Sequence, residues 1–319
     1  MRVRYNSVST ASMLNLFSPL IFGHTRLSNR IVLTALPSGC TVPDGFVSGD
    51  LANYYLKLAQ GGLGMLVIEH TCVLPPPHGR IPHLGLYDDA QVPDLHDCIR
   101  AVRHAGPAVL VMLDQPLQLT QLSQAEIGAI GEAFIVAAWR VRATGADGIM
   151  FSCADGGPFE QLVSPLYNHR SDRYGGSVGG RLGLLLTVIE QIESWMGSEF
   201  VVGVRLNAEE FTPGGLTLQD TRVIANWLSG AGVRLLEISA ETRSSVPVAR
   251  FPGWRVPLAA GIKAVVDVPV IVGALSDDVL LADSVIREGA ADLVALNEAL
   301  QADPCWPQRA RDVLAPQET

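Results

Sequence analysis

Eight short apolar runs recur along the chain at intervals that leave room for one helix between each pair. They are IVLTA (31 to 35), MLVIE (65 to 69), AVLVML (108 to 113), GIMF (148 to 151), FVVGVRL (200 to 206), LLEIS (235 to 239), PVIVG (269 to 273) and DLVAL (292 to 296). Each is too short for a helix and nearly free of polar interruption, as a parallel strand buried on both faces must be. GGLGMLVIE, TGADGIMF, AGVRLLEIS and EGAADLVAL each place a glycine before the run, reading as helix, turn and buried strand. Helices are predicted at 124 to 143, 181 to 196, 218 to 230 and 276 to 288, with Ser276-Asp277-Asp278 as the start of the last. Eight such repeats in 319 residues specify an α/β fold, the (β/α)₈ TIM barrel. A doubly wound sheet is the alternative, but no run is followed by G-x-G-x-x-G at a helix start.

Composition narrows the partners. Charged residues are only 17% and hydrophobic ones 48%, which suits strands covered on both sides, yet no apolar run nears the ~20 residues of a membrane span. A formal charge of -9 argues against binding to nucleic acid or an anionic membrane surface. Five scattered cysteines without a CxxC indicate neither a disulfide framework nor a metal site. Residues 1 to 13 read as a loose N-terminal arm and 14 to 319 as a single domain, with the cytoplasm as the expected compartment. The Pro-rich stretch LPPPHGRIPHLG (74 to 85) reads as a loop at the functional end of the barrel.

The segments LFSPLIFGHTRLSNRIV (16 to 32), SPLYNHRSDRYGGS (164 to 177), GVRLNAEEFTPGGLT (203 to 217) and ADLVALNEALQADPCWP (291 to 307) resemble the Old Yellow Enzyme family of FMN-dependent ene-reductases. The resemblance covers nearly the whole chain from Leu14 onward. It implies a TIM barrel holding FMN at its C-terminal mouth, where an activated alkene takes hydride from the flavin and a proton from a tyrosine.

Several positions depart from that pattern. The substrate-anchoring pair and the Gly-Tyr after it align with Ser152, Asp155, Gly156 and Gly157, so the tyrosine proton donor is missing. The glutamine at the flavin edge aligns with Met112, and the motif that follows becomes Asp114-Gln115-Pro116. The first run continues as Thr34-Ala35-Leu36-Pro37. Where the family places Gly-Arg against the FMN phosphate, this chain has Asn297-Glu298, and the glycine pair after the seventh run is Gly273-Ala274. A carboxylate 4 Å from a phosphate charge costs about 4 kcal/mol at an effective dielectric near 20. Arg205, which the resemblance places beside the pyrimidine end of the flavin, survives, as do Arg170, Asp172 and Arg181.

These losses lead to an expectation of no cofactor, with FMN as the alternative, held through Ala35, Arg205, Gly273 and Asn297. Asp155, Arg205, Ser152 and His70 are the candidate catalytic residues, and Glu69, Met112, Asp114, Gly157, Glu237 and Glu298 the candidate pocket lining; no metal is expected. Asp155 is read as a proton donor or shuttle and Arg205 as an oxyanion-stabilising cation. The structural alternatives are a loop carboxylate capping Gly156-Gly157 for Asp155, an ion pair with Glu237 or Glu298 for Arg205, and a packed or solvated ring for His70. Cys153 has no paired base and is not expected to act as a nucleophile. Three functions follow. The first is a cofactor-independent isomerisation, cyclisation or related rearrangement of an unsaturated apolar carbonyl compound; the others are a divergent FMN-dependent NAD(P)H ene-reductase and a non-catalytic ligand-binding barrel. The partner is a small apolar molecule, and a homo-oligomer is left open.

Overall fold

Each of the eight apolar runs becomes a parallel strand of one closed ring. The computed structural model of the chain describes residues 14 to 40, 43 to 75, 83 to 240 and 250 to 315. The arm at 1 to 13 and most of the Pro-rich loop, 76 to 82, lie outside the described residues.

The chain enters through a short antiparallel hairpin, β1 (Leu20–Phe22) and β2 (Thr25–Leu27). The first barrel strand is β3 (Ile31–Leu33), followed by α1 (Gly49–Gln60), β4 (Met65–Cys72), a two-residue strand β5 (Leu84–Gly85) and α2 (Val92–His104). Then come β6 (Ala108–Asp114), α3 (Gln124–Ala143), β7 (Gly148–Cys153), a short α4 (Pro158–Val163) and α5 (Val178–Met196). The second half runs β8 (Val201–Asn207), α6 (Leu218–Gly230), β9 (Leu235–Ser239), α7 (Val256–Lys263), β10 (Val270–Val272) and α8 (Val279–Arg287). It ends with β11 (Leu293–Ala295), α9 (Asn297–Ala302) and α10 (Trp306–Leu314). Neighbouring barrel strands pair in parallel, and β11 pairs with β3 to close the ring, so its eight strands each have two neighbours, with β5 added alongside β4.

The period-2 alternation of the strands sorts their side chains into two cores. Inward residues such as Val67, Leu110, Met112, Met150 and Leu235 fill the barrel, joined by Phe22 and Leu27 of the hairpin. Outward residues such as Ile68, Val111, Phe151 and Val204 pack against the helices. Gly203 belongs to this packing, because a Cβ there would lie 2.9 Å from Cγ of Met150, inside van der Waals contact. The helices start where capping residues place them: Ser123 and Thr217 form capping boxes with Glu126 and Asp220, and Asp278 accepts from the Leu281 N–H at the head of α8.

Candidate functional site

The C-terminal ends of the strands open into a cavity of about 900 Å³, toward the upper end of the ~300–1,000 Å³ typical of ligand pockets. Its polar lining comes from almost every strand end. Glu69 and His70 come from β4, Asp114 from β6, Asp155 from the turn after β7, Arg205 from β8, and Glu237 and Ser239 from β9. Gly273 to Ser276 follow β10, and Asn297 and Glu298 follow β11.

Arg205 is the electrostatic centre. Its side chain is only 9% exposed and lies between two carboxylates, Asp155 Oδ2 at 2.7 Å and Glu237 Oε1 at 3.0 Å. It also donates to the Ala35 carbonyl at 3.0 Å, tying β8 to the end of β3. Burial by itself would lower the guanidinium's pKa; Glu237 and Asp155 more than reverse this and hold it above its ordinary value. The ion pair expected as the structural alternative for Arg205 therefore exists, with Glu237 and Asp155 as partners. Asp155 sits at φ 60 on the turn after β7, a left-handed backbone that aims its carboxylate back at Arg205. That pairing sets the carboxylate against a cation at the cavity wall.

Three predicted residues are not brought to the cavity. Ser152 is buried, and its hydroxyl donates to the Ala154 carbonyl at 3.0 Å. Met112 lies inside the barrel, one layer below the mouth, and Asp114, two residues on along the same inward face of β6, lines the cavity. Gly157 caps α4 with its Cα turned against the carbonyls of Ser152 and Ala154. Cys153 is buried, and burial, with Glu160 nearby, pushes its thiol up, which keeps it protonated. Arg170 and Asp172 prove structural: Arg170 clamps the loop at 164 to 177 by donating to the Thr120 and Leu122 carbonyls while pairing with Asp172.

Sequence reasoning missed Arg250, Trp254 and Arg255, which line the cavity from the segment before α7. The guanidinium carbons of Arg255 and Arg250 stand 5.0 and 5.9 Å from the Trp254 ring centre. The segment is fixed to the loop after β10 by the Gly253 N–H, which donates to the Ala274 carbonyl at 2.7 Å. The run Gly253-Trp254-Arg255 was a readable signal, but only the docking onto Ala274 turns it toward the mouth.

Among the described residues, no group of three or more His, Cys, Asp or Glu side chains could hold a metal ion, and no helix is long and apolar enough to cross a membrane.

An eight-stranded parallel barrel with a buried arginine at its C-terminal mouth defines a TIM-barrel protein with one large ligand site among the strand ends. The model of the NADH:flavin oxidoreductase / NADH oxidase family matches residues 15–119 and 114–317, and the chain belongs to that family. It is 33% identical over 330 residues to the NADH oxidase of Thermoanaerobacter brockii, covering 93% of this chain and 51% of that protein. To the NADPH dehydrogenase of Geobacillus thermodenitrificans it is 30% identical over 321 residues, covering 92% of this chain and 93% of that one. The chain spans about half the length of the NADH oxidase (51%) and of the metal reductase of Desulforamulus reducens (48%). Among solved structures, the fold matches morphinone reductase with a TM-score of 0.81 at 22% identity, over 97% of this chain and 92% of that one. The old yellow enzyme homologue from Zymomonas mobilis gives 0.78 at 22%, over 94% and 93%.

These relatives overturn the expectation of no cofactor, since the matched family is one of flavin oxidoreductases and the match runs through both halves of the barrel. The physical error lay in the dielectric. Glu298 is exposed in the first turn of α9, where a unit-charge repulsion at 4 Å is about 1 kcal/mol, closer to the value in water than to the ~4 kcal/mol of a shielded site. The Asn297 amide is committed to the barrel seam: it accepts from the Thr34 N–H at 2.8 Å and donates to the Thr34 hydroxyl at 2.9 Å, joining the end of β11 to the end of β3.

The lining accommodates a flavin nucleotide. Arg205 Nε and Arg255 Nε, both donors, and Asp114 Oδ1 and Glu237 Oε2, both acceptors, are buried without hydrogen-bond partners among the described residues. A polar ligand bearing both donors and acceptors, as the pyrimidine edge of a flavin does, relieves such a set. Ala274 and Ser276 hold φ 63 and 55, keeping after β10 a turn that favours glycine even though side chains are present. Arg250 and Arg255 supply positive charge on the same side of the mouth as that turn.

Proposed function

We propose that the chain is an FMN-dependent NAD(P)H oxidoreductase acting on an unsaturated, mostly apolar carbonyl compound, with residues 14 to 319 as one working domain. The observation that carries this reading is Arg205: a buried cation held by two carboxylates at the end of β8, beside the Ala35 carbonyl. A permanent charge there stabilises negative charge on a ring system placed against it, and the low exposure of the site makes the interaction stronger than it would be in water. The relatives named as NADH oxidase and NADPH dehydrogenase favour this reading over a redox-free rearrangement.

Ala35, Arg205 and Gly273 border the part of the cavity that would hold the ring, and Ala274 to Ser276 with Arg255 the part that would hold the phosphate. Bound FMN would supply two-electron hydride chemistry. The chain's own contribution is orientation and charge. Asp155 and Glu237 fix the guanidinium plane, Asn297 and Thr34 lock the first and last strands together, and Trp254 offers an apolar wall for the substrate.

The test is anaerobic. Protein loaded with FMN should lose the flavin's visible absorbance on addition of NADPH or NADH and regain it when 2-cyclohexen-1-one is supplied. Bound flavin that neither nucleotide bleaches would contradict the proposal.

A further inference from the structure

The tyrosine that the family resemblance assigns as proton donor is replaced at the aligned place by Gly157, which lies outside the cavity. Another group in the mouth has the geometry for that task. We propose that His70 and Asp114 form a proton-transfer dyad: His70 exchanges a proton with a carbonyl-bearing ligand, and Asp114 is the positioning residue that sets the ring's tautomer and angle. The proposal rests on the oxidoreductase reading for the kind of ligand, and on the barrel's own geometry for everything else.

The dyad exists because β4 is bulged. Along its partner β6 the register runs Ile68↔Val111 and then Thr71↔Leu113, so Glu69 and His70 together face the single residue Met112. An extra residue in one strand breaks the in-out alternation and re-aims side chains. Met65 and Val67 point into the barrel and Leu66 and Ile68 out of it, so an unbroken strand would send Glu69 inward and His70 toward the helices. With the bulge, both Glu69 and His70 line the cavity.

Across the strand pair, Asp114 ends the inward alternation of β6 beside them. His70 Nδ1 and Asp114 Oδ2 are 2.8 Å apart, with side chains 21% and 17% exposed. An ionised carboxylate only accepts hydrogen bonds, so Nδ1 carries the proton. Neutral His70 therefore presents Nε2 as a lone pair, and the imidazolium presents Nε2–H; Nε2 has no partner among the described residues while the ring lines the cavity. This is the base-and-orienter arrangement by which a carboxylate fixes an imidazole for proton transfer. The step balances as a proton transfer alone: the Nε2–H bond breaks, a bond from hydrogen to the ligand's anionic centre forms, and the neutral imidazole regains its proton from water.

Of the other acids of the mouth, Glu298 stands exposed in the first turn of α9 and the rest are engaged elsewhere. Glu69 accepts from the Ser38 N–H at 2.6 Å, and Asp155 and Glu237 hold Arg205. Cys72, next along the inward face of β4, has its thiol pushed up to about 12 by burial and then by Asp114, which keeps it protonated and out of the exchange.

The test uses the full chain labelled with ¹⁵N-histidine, its seven histidines assigned with the help of His70→Gln. In the unmodified protein, neutral His70 should carry its proton on Nδ1, and added 2-cyclohexen-1-one should shift Nε2. Asp114→Asn should release the tautomer preference. A proton on Nε2 in the unmodified chain, or an Nε2 signal that ignores the ligand, would overturn the dyad. In FMN-loaded protein, His70→Gln should slow flavin reoxidation by 2-cyclohexen-1-one by about 10²–10⁴-fold, with partial rescue by added imidazole; an unchanged rate also overturns it. Should the chain take up no FMN, the oxidoreductase reading fails while the nitrogen shifts still decide the dyad.

Discussion

Arg205→Met should lower the unfolding free energy by about 3–5 kcal/mol, the cost of removing one partner from a buried ion pair. The loss comes less from the contacts of Arg205 than from what it leaves behind. Asp155 and Glu237 would lose the guanidinium that lies between them, at a site where Arg205 and Glu237 are each only 9% exposed, and keep the weaker field of Arg255 nearby. Charge matters here more than size, since methionine fills much of the same volume. Adding Glu237→Gln to Arg205→Met should recover part of the loss, giving a coupling energy well above the ~0.3–0.5 kcal/mol scatter of independent sites. Denaturant unfolding of the two single variants and the double variant measures this cycle. Additive losses would show that the carboxylates are solvated well enough to stand alone and that Arg205 is not the electrostatic centre described here.

Glu298→Arg should tighten FMN binding between tenfold and a hundredfold, about 1.4–2.7 kcal/mol. At 4 Å in water a unit pair is worth about 1 kcal/mol, and the substitution turns one repulsion into one attraction against a phosphate carrying a charge of about -1.5 to -2. Because residue 298 is exposed, the gain should shrink as salt is raised through the range where the Debye length falls to about 8 Å. Asn297 is best kept in the same experiment. Its amide bonds Thr34 in both directions, and exchanging it for glycine would loosen the closure between β11 and β3 that the cofactor site is built upon. Fluorescence quenching of free FMN, titrated at two ionic strengths, reads both the gain and its salt dependence. An affinity that does not move would place the phosphate away from α9.

The barrel was legible in the sequence because burial on both faces writes a strand as a continuous apolar run, and the eight runs coincide with the eight strands of the ring. LLEIS matches β9 residue for residue, and the helices expected at 124 to 143 and 218 to 230 match α3 and α6. Short polar sites are another matter. Which of two adjacent residues reaches a barrel mouth depends on register, and the bulge at Glu69 and His70 leaves no mark in the local sequence. Met112 and Asp114 are both candidates on the inward face of β6; only the second, at the strand's C-terminal end, stands high enough to reach the mouth. Arg255 could not be placed because its position follows from a loop docked by one backbone hydrogen bond, between Gly253 and Ala274. The cofactor was misread for a physical reason as well: a charge was weighed without its exposure, and exposure is a property of the fold.

The central claim, that this mouth holds FMN, is tested most directly by titrating the cofactor-stripped chain with FMN under conditions where circular dichroism shows it folded. The structure predicts saturable, stoichiometric uptake, with flavin fluorescence quenched in the site and affinity reduced in Arg205→Met refolded to the same helical content. A folded chain that leaves FMN fluorescence unchanged at every concentration would contradict it.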